Sequence, residues 1–450
     1  MTKLDYEPLI DKVRTRLLHW SHKPLSCAGR LQLIKSVIAS ITNFWCSAFI
    51  LPQGCLDTIE SMCNAFLWSG SPNDTHKSKV SWDDICYPKE EGGLGIRRLR
   101  ETSLVFALSL IWRLFSSTGS LWVAWVKSYL LHGESFWDAR DGSKGSWMGK
   151  KMLKLRDKAY PFIKYQIGDG KEAFFLFDNW LEQGKLLELV GASGTHMLGI
   201  PRQAKVAIAV RGSAWQLRRQ RGAVQRQLVA LIQAAPVPNR EVGRDVVLWR
   251  YKEGEYKDVF SAAATWDQIR RNQTKVTWFR TIWFAQGVPR YSFIAWLSIL
   301  NRLAAGDRMR NWGHEQSCLF CGERDETRDH LFFACPYTYT LWSSLGGSLM
   351  PSASTPDWVD TLSFIISQGS RTMDSVLLRL LFQTSIYHVW RERNARERNA
   401  RRHRTSWIPL EHLARYVDKA MRNQISSLNY RAPHKFEGLM RHWFEVCCLP

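Results

Sequence analysis

Four residues that could bind one metal ion fall within eighteen residues of each other, spaced Cys318-x2-Cys321-x8-His330-x4-Cys335. The Cys-x-x-Cys pair is a tight turn in which two thiolates can bind one ion, and Gly322 lets the backbone fold beneath the sulfurs. Three thiolates and one imidazole complete a tetrahedral shell that leaves no position for a catalytic water. The spacing therefore predicts one structural zinc ion. The alternative is ordinary buried thiols beside a core histidine.

Short helices are predicted on both sides of these ligands. Residues 327–330 have the form of a first helical turn, and Pro336 is suited to begin the next helix. Asp307 is predicted to cap a helix that begins at Arg308. Four apolar residues further upstream recur at helical spacing and predict a buried face rather than a base-stacking surface: Phe293, Trp296, Leu297 and Leu300.

The composition of the 450-residue chain is strongly basic, with a formal net charge of +21 and a pI near 9.7. Such a charge favours a polyanionic partner, RNA or DNA, because each neutralised phosphate releases counterions. The alternative is that the charge only aids solubility.

Ten scattered cysteines predict reducing surroundings rather than a disulfide framework. The N-terminus does not have the pattern of a signal peptide. Residues 104–112 are the longest apolar run and are too short to span a bilayer. We therefore expect an intracellular protein, nuclear or cytoplasmic, without a membrane partner.

Arginines surround the predicted zinc site in sequence. Arg324 and Arg328 lie inside its long loop, where they can partly balance the negative charge of three thiolates and one zinc ion. Residues 391–404 form a second basic block, with seven Arg against two Glu and a net charge of +5. That block fits a solvated helix and a phosphate-binding arm equally well. Four flanking arginines form the predicted phosphate-binding set: Arg290, Arg302, Arg308 and Arg310.

Elsewhere the pattern predicts a mainly α fold with short β-hairpins, in several domains, with a small zinc-stabilised domain in the C-terminal half. Helices are predicted over residues 4–20, from a cap at Ser26 onward, and over residues 55–68. Hairpins are predicted around Gly168-Asp-Gly170 and Glu253-Gly254, the second followed by a helix from Ser261 to Ile269. The predicted buried residues of the first three helices are Leu9, Val13, Leu17, Trp20, Leu31, Ile34, Ile38, Ile41, Ile59, Cys63 and Leu67.

Residues 25–38, LSCAGRLQLIKSVI, resemble a signature that follows the polymerase palm in plant LINE-type (non-LTR) retrotransposon reverse transcriptases. The similarity is nearly continuous over residues 20–115 and implies a helical thumb and its connection. One departure is Ser103, near a position where the family usually has Asn. Residues 167–180 are similar to that family's GDG…FWxDNW segment, with Phe177 where a Trp is common.

Residues 275–345 look like the zinc-binding domain of the same reverse transcriptases, on the motifs Pro289–Leu297, Asn301–Leu303, Gly306–Met309 and Glu326–Cys335. The eight-residue gap before His330 departs from retroviral zinc knuckles, so knuckle-style recognition of bases is not implied. Residues 386–394 resemble a terminal motif of the family, and a second Arg-Glu-Arg-Asn-Ala copy follows. These features predict six regions: a helical thumb-like region 1–135, a connection 136–190, a weakly ordered connector 191–246, the zinc-binding domain 247–345, a linker 346–376 and a basic helical tail 377–450.

The sequence lacks recognisable polymerase and ribonuclease H motifs. Polymerisation needs carboxylates that hold two metal ions, carried in reverse transcriptases by an aromatic-x-Asp-Asp hairpin, whereas Trp82-Asp83-Asp84 lies in a helical context. Gly92-Gly-Leu-Gly95 lacks the phosphate-binding glycine order and predicts a plain turn. We expect a palm to lie upstream of the thumb signature, or to be supplied in trans. The C-terminal third lacks the spaced carboxylates of a ribonuclease H site.

The sequence therefore predicts a catalytically inactive retrotransposon-derived fragment with one structural zinc ion, able to bind RNA or DNA through phosphates. A zinc-stabilised protein-interaction module and a non-functional translated remnant are the alternatives. Binding to nucleic acid that weakens steeply with salt would favour the first interpretation.

Overall fold

The computed structural model describes residues 3–74, 78–116, 119–139, 147–181, 183–191, 194–220, 222–310, 312–351, 355–369, 371–402, 408–430 and 434–447. The chain divides into two compact units. The first comprises Met1–Asp11, Ala39–Thr58 and Arg97–Arg271, and the second comprises Lys12–Ile38, Ile59–Ile96 and Asn272–Pro450.

Helices form most of the secondary structure of the described residues. The α-helices of the first half are α1 Glu7–Ser21, α2 Cys27–Leu33, α3 Ala39–Ala48, α4 Gln53–Ser69, α5 Trp82–Cys86, α6 Leu99–Ser116, α7 Leu121–Trp125, α8 Trp147–Leu153, α9 Arg156–Ala159, α10 Leu186–Val190 and α11 Gly194–Leu198. The later α-helices are α12 Ala223–Ala234, α13 Ala262–Ile269, α14 Phe279–Ile282, α15 Pro289–Ile299, α16 Gly306–Arg310, α17 Pro336–Gly346, α18 Trp358–Ser367, α19 Met373–Arg402, α20 Leu410–Leu428 and α21 Leu439–Val446. The π-helical turns are Ile34–Ile38, Val126–Leu130 and His330–Ala334. The strands are β1 Ile163–Gln166, β2 Val210–Arg211, β3 Ala214–Trp215, β4 Val246–Lys252 and β5 Glu255–Lys257.

The sheet of the first unit is antiparallel, in the order β1-β4-β5, and carries the centre of that unit's core. Trp249 on β4 is fully buried, stacks on Phe162 with 5.1 Å between ring centroids, and donates a hydrogen bond to Thr265 Oγ1 at 2.8 Å. The predicted hairpin at Gly254 is confirmed. The hairpin predicted around Gly168-Asp-Gly170 is wrong, because β1 pairs with β4 and residues 175–177 form a turn rather than a second strand.

Asp245, just before β4, explains why the glycine segment does not form its own hairpin. Its Oδ1 accepts hydrogen bonds from the backbone amides of Gly168 and Gly170, both at 2.8 Å. Its Oδ2 accepts from the amides of Glu172 and Ala173, at 2.9 and 3.1 Å. One carboxylate thus satisfies four amides and fixes the loop against a strand distant in sequence.

Residues 191–246, expected to be weakly ordered, contribute to the core of the first unit. Leu198, Val206 and Ile232 are buried there, and Trp215 donates to the carbonyl of Ala235 at 3.0 Å. Within α12 the buried Leu228 and Ile232 have the i, i+4 spacing of one helical face, whereas the other elements of this region are short.

The three helices predicted near the N-terminus are confirmed as α1, α2 and α4. Ser26 caps α2 by accepting a hydrogen bond from the Gly29 amide at 3.2 Å. The predicted buried residues are buried except Trp20 and Ile41, which are half-buried. In the second unit Arg30 donates to the carbonyls of Leu67 and Trp68 and so ties α2 to the end of α4.

The second unit is organised around α19, on which α14, α15, α17, α18, α20 and α21 pack. Residues 346–376, expected to be a linker, contain α18. Asp357 caps that helix by accepting from the amides of Val359 and Asp360, and Trp358 is buried against Phe333. The apolar face of α18 anchors the segment in the core.

The predicted fold class is confirmed: helices dominate, the strands are short, and a Cys/His cluster lies in the C-terminal half. Among the described residues, no single helix has the length and apolar character needed to span a membrane. One bent pair, Leu99–Ser116 with Leu121–Leu130, reaches that length and composition together. The six-region division of the chain stays a prediction.

Candidate metal centre

The four predicted ligands meet at one point. Their donor atoms all lie within 4.8 Å of one another. The distance is 3.9 Å between Cys318 Sγ and Cys335 Sγ and 3.2 Å between Cys321 Sγ and His330 Nε2. Zinc–sulfur bonds of about 2.3 Å at tetrahedral angles place two sulfurs about 3.8 Å apart. The residues therefore fit one structural zinc ion, as the spacing predicted.

Local hydrogen bonds shape the two halves of this centre. The amide of Gly322 donates to the Cys318 carbonyl at 2.9 Å, and Gly322 adopts a φ of +83°, which favours glycine. His330 opens the π-helical turn, and its amide donates to Thr327 Oγ1 at 3.1 Å. Pro336 then begins α17, as predicted.

The thiols show why this cluster needs a cation. Cys318 donates a hydrogen bond to Cys335, which raises the pKa of Cys318, with burial adding to the effect, and lowers the pKa of Cys335. Burial also raises the pKa of Cys321. Cys318 and Cys335 are both buried. Three thiolates can coexist in such a site only with a compensating charge, which a divalent ion supplies.

Glu326, in the loop between the second and third ligands, ties the centre to two helices. Its buried carboxylate accepts from Arg393 Nη2 on α19 at 2.7 Å and from the Gly306 amide at 3.0 Å. The amide of Asp307 donates to the Glu326 carbonyl at 3.0 Å. Glu326 therefore accepts the backbone amide of the first residue of α16. The prediction that Asp307 caps a helix beginning at Arg308 is wrong, because the helix already begins at Gly306.

Arg396, one turn further along α19, holds the Cys-x-x-Cys turn. It donates to the carbonyl of Leu319 at 3.2 Å and lies over the rings of Phe320 and Tyr337, at 4.5 and 4.8 Å from their centroids. Its Nε also donates to Glu392 at 2.9 Å. The turn between two zinc ligands is thus packed on a helical residue 77 positions later in the chain.

The basic block at residues 391–404 therefore has mixed roles. Arg393 and Arg396 are buried and structural, so for them both a solvated helix and a phosphate-binding arm are wrong. Arg391 is exposed. Side chains of residues 398–402, and residues 403–407, lie outside the described part of the chain.

The predicted phosphate-binding arginines differ in surroundings. Arg290 and Arg302 are exposed, and no carboxylate among the described residues forms an ion pair with either. Arg308 is half-buried and donates to the Asn301 carbonyl, and Arg310 forms an exposed ion pair with Asp325. Within the zinc loop, Arg324 is exposed, and Arg328 pairs with Asp329 and lies over Trp358.

One basic surface was missed from the sequence. Arg415, Lys419 and Arg422 lie on the exposed face of α20, at i, i+4 and i+7. Arg422 forms an ion pair with Asp418 at 2.7 Å. The signal was present in the helical spacing of these residues, which share one face when α20 packs its apolar face on the unit.

The acidic and glycine motifs near residue 90 have structural roles. Ser81 caps α5 by accepting from the Asp84 amide at 3.1 Å and donates to the Asp84 carboxylate at 2.7 Å. Gly93 lies in a turn so tight that a Cβ there would meet the Tyr87 carbonyl oxygen at 2.1 Å. Lys35 and Trp296 donate to carbonyls of that turn, at Leu94 and Gly92. The predicted plain turn is confirmed.

Comparison with known proteins agrees with this geometry. Residues 260–342 match the family model described as zinc-binding in reverse transcriptase. This region is related to the zinc-binding domain of reverse transcriptases. An Arabidopsis thaliana protein described as a "putative ribonuclease H protein" is 25% identical over 350 residues, which cover 76% of this chain and 56% of that protein. An Arabidopsis thaliana "uncharacterized mitochondrial protein" is 24% identical over 136 residues, 30% of this chain and 88% of that protein.

The chain thus spans a little over half the length of the first of these relatives. The two matches and the zinc-binding region together indicate a retroelement protein related to reverse transcriptases, as the motifs predicted. The LINE type and the thumb and connection assignments stay predictions.

Proposed function

We propose that this chain is a catalytically inactive protein derived from a LINE-type retrotransposon, with residues 1–135 as its thumb-like region. In this proposal a zinc-stabilised unit binds RNA or DNA through backbone phosphates. The proposal rests on the relation of residues 260–342 to the zinc-binding domain of reverse transcriptases. The chemistry of the surface supports it further.

The proposal is carried by the basic side chains of the second unit that are exposed to solvent, as opposed to the buried arginines that stabilise the zinc centre. Arg290 and Arg302 are exposed on the second unit, close in sequence to the zinc ligands. Arg415 and Lys419 add an exposed cationic face on α20 of the same unit. Arginine and lysine side chains of this kind bind phosphates without reading sequence.

Salt dependence tests the proposal. The full zinc-loaded chain is titrated with RNA, single-stranded DNA and duplex DNA at two salt concentrations. An Arg290→Gln/Arg302→Gln double variant should weaken all binding and lower the salt slope by about two counterions. Arg371→Gln, an exposed arginine of the same unit outside the predicted set, is the control. Wild-type binding that does not change with salt, or no binding, would contradict the proposal.

Absence of catalysis is part of the same proposal. Asp84 serves the cap of α5, and no aromatic-x-Asp-Asp hairpin was recognised in the sequence. Primer extension with magnesium or manganese should therefore give background only, unless a palm is supplied in trans. Extension by this chain that Asp83→Ala abolishes would refute it. A salt-insensitive complex with a protein would instead favour the protein-interaction alternative.

A further inference from the structure

Residues 191–239, all in the first unit, contain no aspartate or glutamate, although acidic residues make up 41 of the 450 residues of the chain. Seven basic residues against no acidic residue give this segment a net charge of +7, with histidine neutral. The seven are Arg202, Lys205, Arg211, Arg218, Arg219, Arg221 and Arg226. So many cations without a counter-charge of their own produce a positive potential around the segment, which attracts anions.

Two of these cations already have partners in the fold. Arg202 forms an ion pair with Asp138 at 2.6 Å, and Lys205 donates to the Glu172 carbonyl at 2.6 Å. The side chain of Arg221 lies outside the described part of the chain. The other four are exposed and form no ion pair with the described residues: Arg211, Arg218, Arg219 and Arg226.

Two of the four exposed arginines line a pocket of about 410 Å³ that is open to solvent. Its polar lining residues are His196, Arg218, Arg219, Gln220 and Gln225. No carboxylate is among the described lining residues. A pocket for an apolar ligand is lined mainly by hydrophobic side chains, so this lining favours a polar anion instead.

Hydrogen bonds to the end of α11 hold the wall of the pocket. The amide of Arg218 donates to the Leu198 carbonyl at 3.1 Å, and its Nη1 donates to the His196 carbonyl at 3.0 Å. Gln220 Nε2 donates to the Met197 carbonyl at 2.6 Å. Because the loop that carries the arginines is fixed before a ligand binds, the entropy cost of binding is lowered.

Both arginines keep donors for a ligand. A guanidinium has five N–H donors, and the bond to the His196 carbonyl is the one hydrogen bond that the Arg218 side chain forms with the described residues. Arg219 is exposed, and its side chain forms no hydrogen bond with the residues that the structure describes. Guanidinium groups bind phosphate oxygens through two parallel N–H donors. The start of the twelve-residue helix α12, next to these arginines in sequence, adds the positive end of a helix dipole.

We infer that this pocket binds a backbone phosphate of RNA or DNA, with Arg218 and Arg219 as the residues that contact it. The inference rests on the proposed function and names a second contact region for the same ligand, in the first unit. A phosphate contact does not read bases, so single strands and duplexes should both use it. A free phosphate compound offers the same chemistry and is separated from the backbone by the test.

The test compares Arg219→Glu with wild type in the full zinc-loaded chain, by fluorescence anisotropy with single-stranded RNA and duplex DNA at two salt concentrations. Arg219→Glu should weaken binding of both by about fivefold and lower the salt slope by about one counterion. Arg211→Glu is the matched control, because Arg211 is an exposed arginine of the same acid-free segment that does not line the pocket. It should keep the wild-type salt slope. Both variants should unfold at the wild-type temperature, since both side chains are exposed.

An Arg219→Glu variant that binds RNA and DNA no more weakly than Arg211→Glu would overturn the inference. Isothermal titration of the same proteins with inorganic pyrophosphate separates the two sources of phosphate. Pyrophosphate binding that Arg219→Glu abolishes while RNA and DNA binding stay unchanged would assign the pocket to a free phosphate compound and refute the backbone contact. If the inference fails but Arg290→Gln/Arg302→Gln still weakens salt-dependent binding, the proposed function stands. Wild type that binds neither nucleic acid overturns both.

Discussion

The buried ion pair between Glu326 and Arg393 should control how well the zinc centre holds its ion. Arg393→Met removes the cation and leaves the Glu326 carboxylate buried. Of the two groups named above, only the Gly306 amide then still donates to this carboxylate. Glu326→Gln removes the carboxylate instead. Arg393 then keeps its bond of 2.6 Å to Glu397. The first substitution should therefore cost more than the second.

The magnitude follows from burial. The two side chains are 1% and 0% exposed, so either charge left alone cannot be solvated without opening the unit. Removing one partner of such a pair costs about 3–5 kcal/mol, which is a factor of at least about a hundred in the closed-to-open ratio of the unit. The double variant Glu326→Gln/Arg393→Met buries no unpaired charge and should lose less than the sum of the two single variants.

Zinc release during urea titration, followed with a colorimetric chelator, measures this directly. Arg391→Met is the matched control because Arg391 is exposed two positions earlier on the same helix. The reasoning is refuted if Arg393→Met releases zinc at the same urea concentration as Arg391→Met. It also fails if the double variant loses the full sum of the single losses, because the two residues would then not be coupled.

Three further predictions concern other parts of the chain. Cys321→Ser should lower the zinc content below one per chain and destabilise the zinc unit by several kcal/mol, roughly the linkage expected of such sites; elemental analysis showing full zinc would contradict it. Asp245→Asn should destabilise the first unit by about 3 kcal/mol, since an amide can accept only part of the four backbone hydrogen bonds; a loss below about 1 kcal/mol in urea unfolding would refute this. His442 forms a hydrogen bond with the carboxylate of Asp374, which raises the pKa of His442 above its unfolded value of about 6.5. The stabilisation of α21 by this pair is therefore complete below that unfolded pKa and is lost as pH rises through the higher folded pKa. Hydrogen exchange of α21 relative to His442→Gln should show that loss; a variant with the wild-type pH dependence would exclude it.

The sequence was most informative where a feature is encoded within a few residues. Zinc ligand spacing is such a feature, because two ligands in one turn and two more within the next fourteen residues leave few alternatives. Helix starts are another: Ser26, the predicted cap, and Ser261, the predicted first residue of a helix, each accept from an amide three residues later, at 3.2 Å. The hairpin at Gly254 was also local, since its φ of +74° requires a residue tolerant of the left-handed region.

Features that depend on distant partners were not predicted. Asp245 binds the Gly168 amide across 77 positions, and Arg393 binds Glu326 across 67. Nothing in the local pattern separates an aspartate that fixes a loop from a solvated one. For the same reason the Gly168-Asp-Gly170 turn suggested a hairpin, although the strand before it pairs with β4.

The net charge of the chain is therefore a poor guide to its proposed phosphate-binding surface until each basic side chain is known to be buried or exposed. The repeated Arg-Glu-Arg-Asn-Ala block fitted a solvated helix and a phosphate-binding arm equally well, yet Arg393 and Arg396 stabilise the zinc loop from inside the unit. Arg30 is likewise used to join two helices. Since some of the arginines near the zinc centre are buried, the number of exposed cations is smaller than the number of basic residues in the sequence. Arg290 and Arg302 are among the exposed ones. The proposed phosphate binding can thus be tested by substitution at Arg290 and Arg302 while the arginines that hold the zinc centre stay intact, so an effect on binding would be separable from an effect on folding.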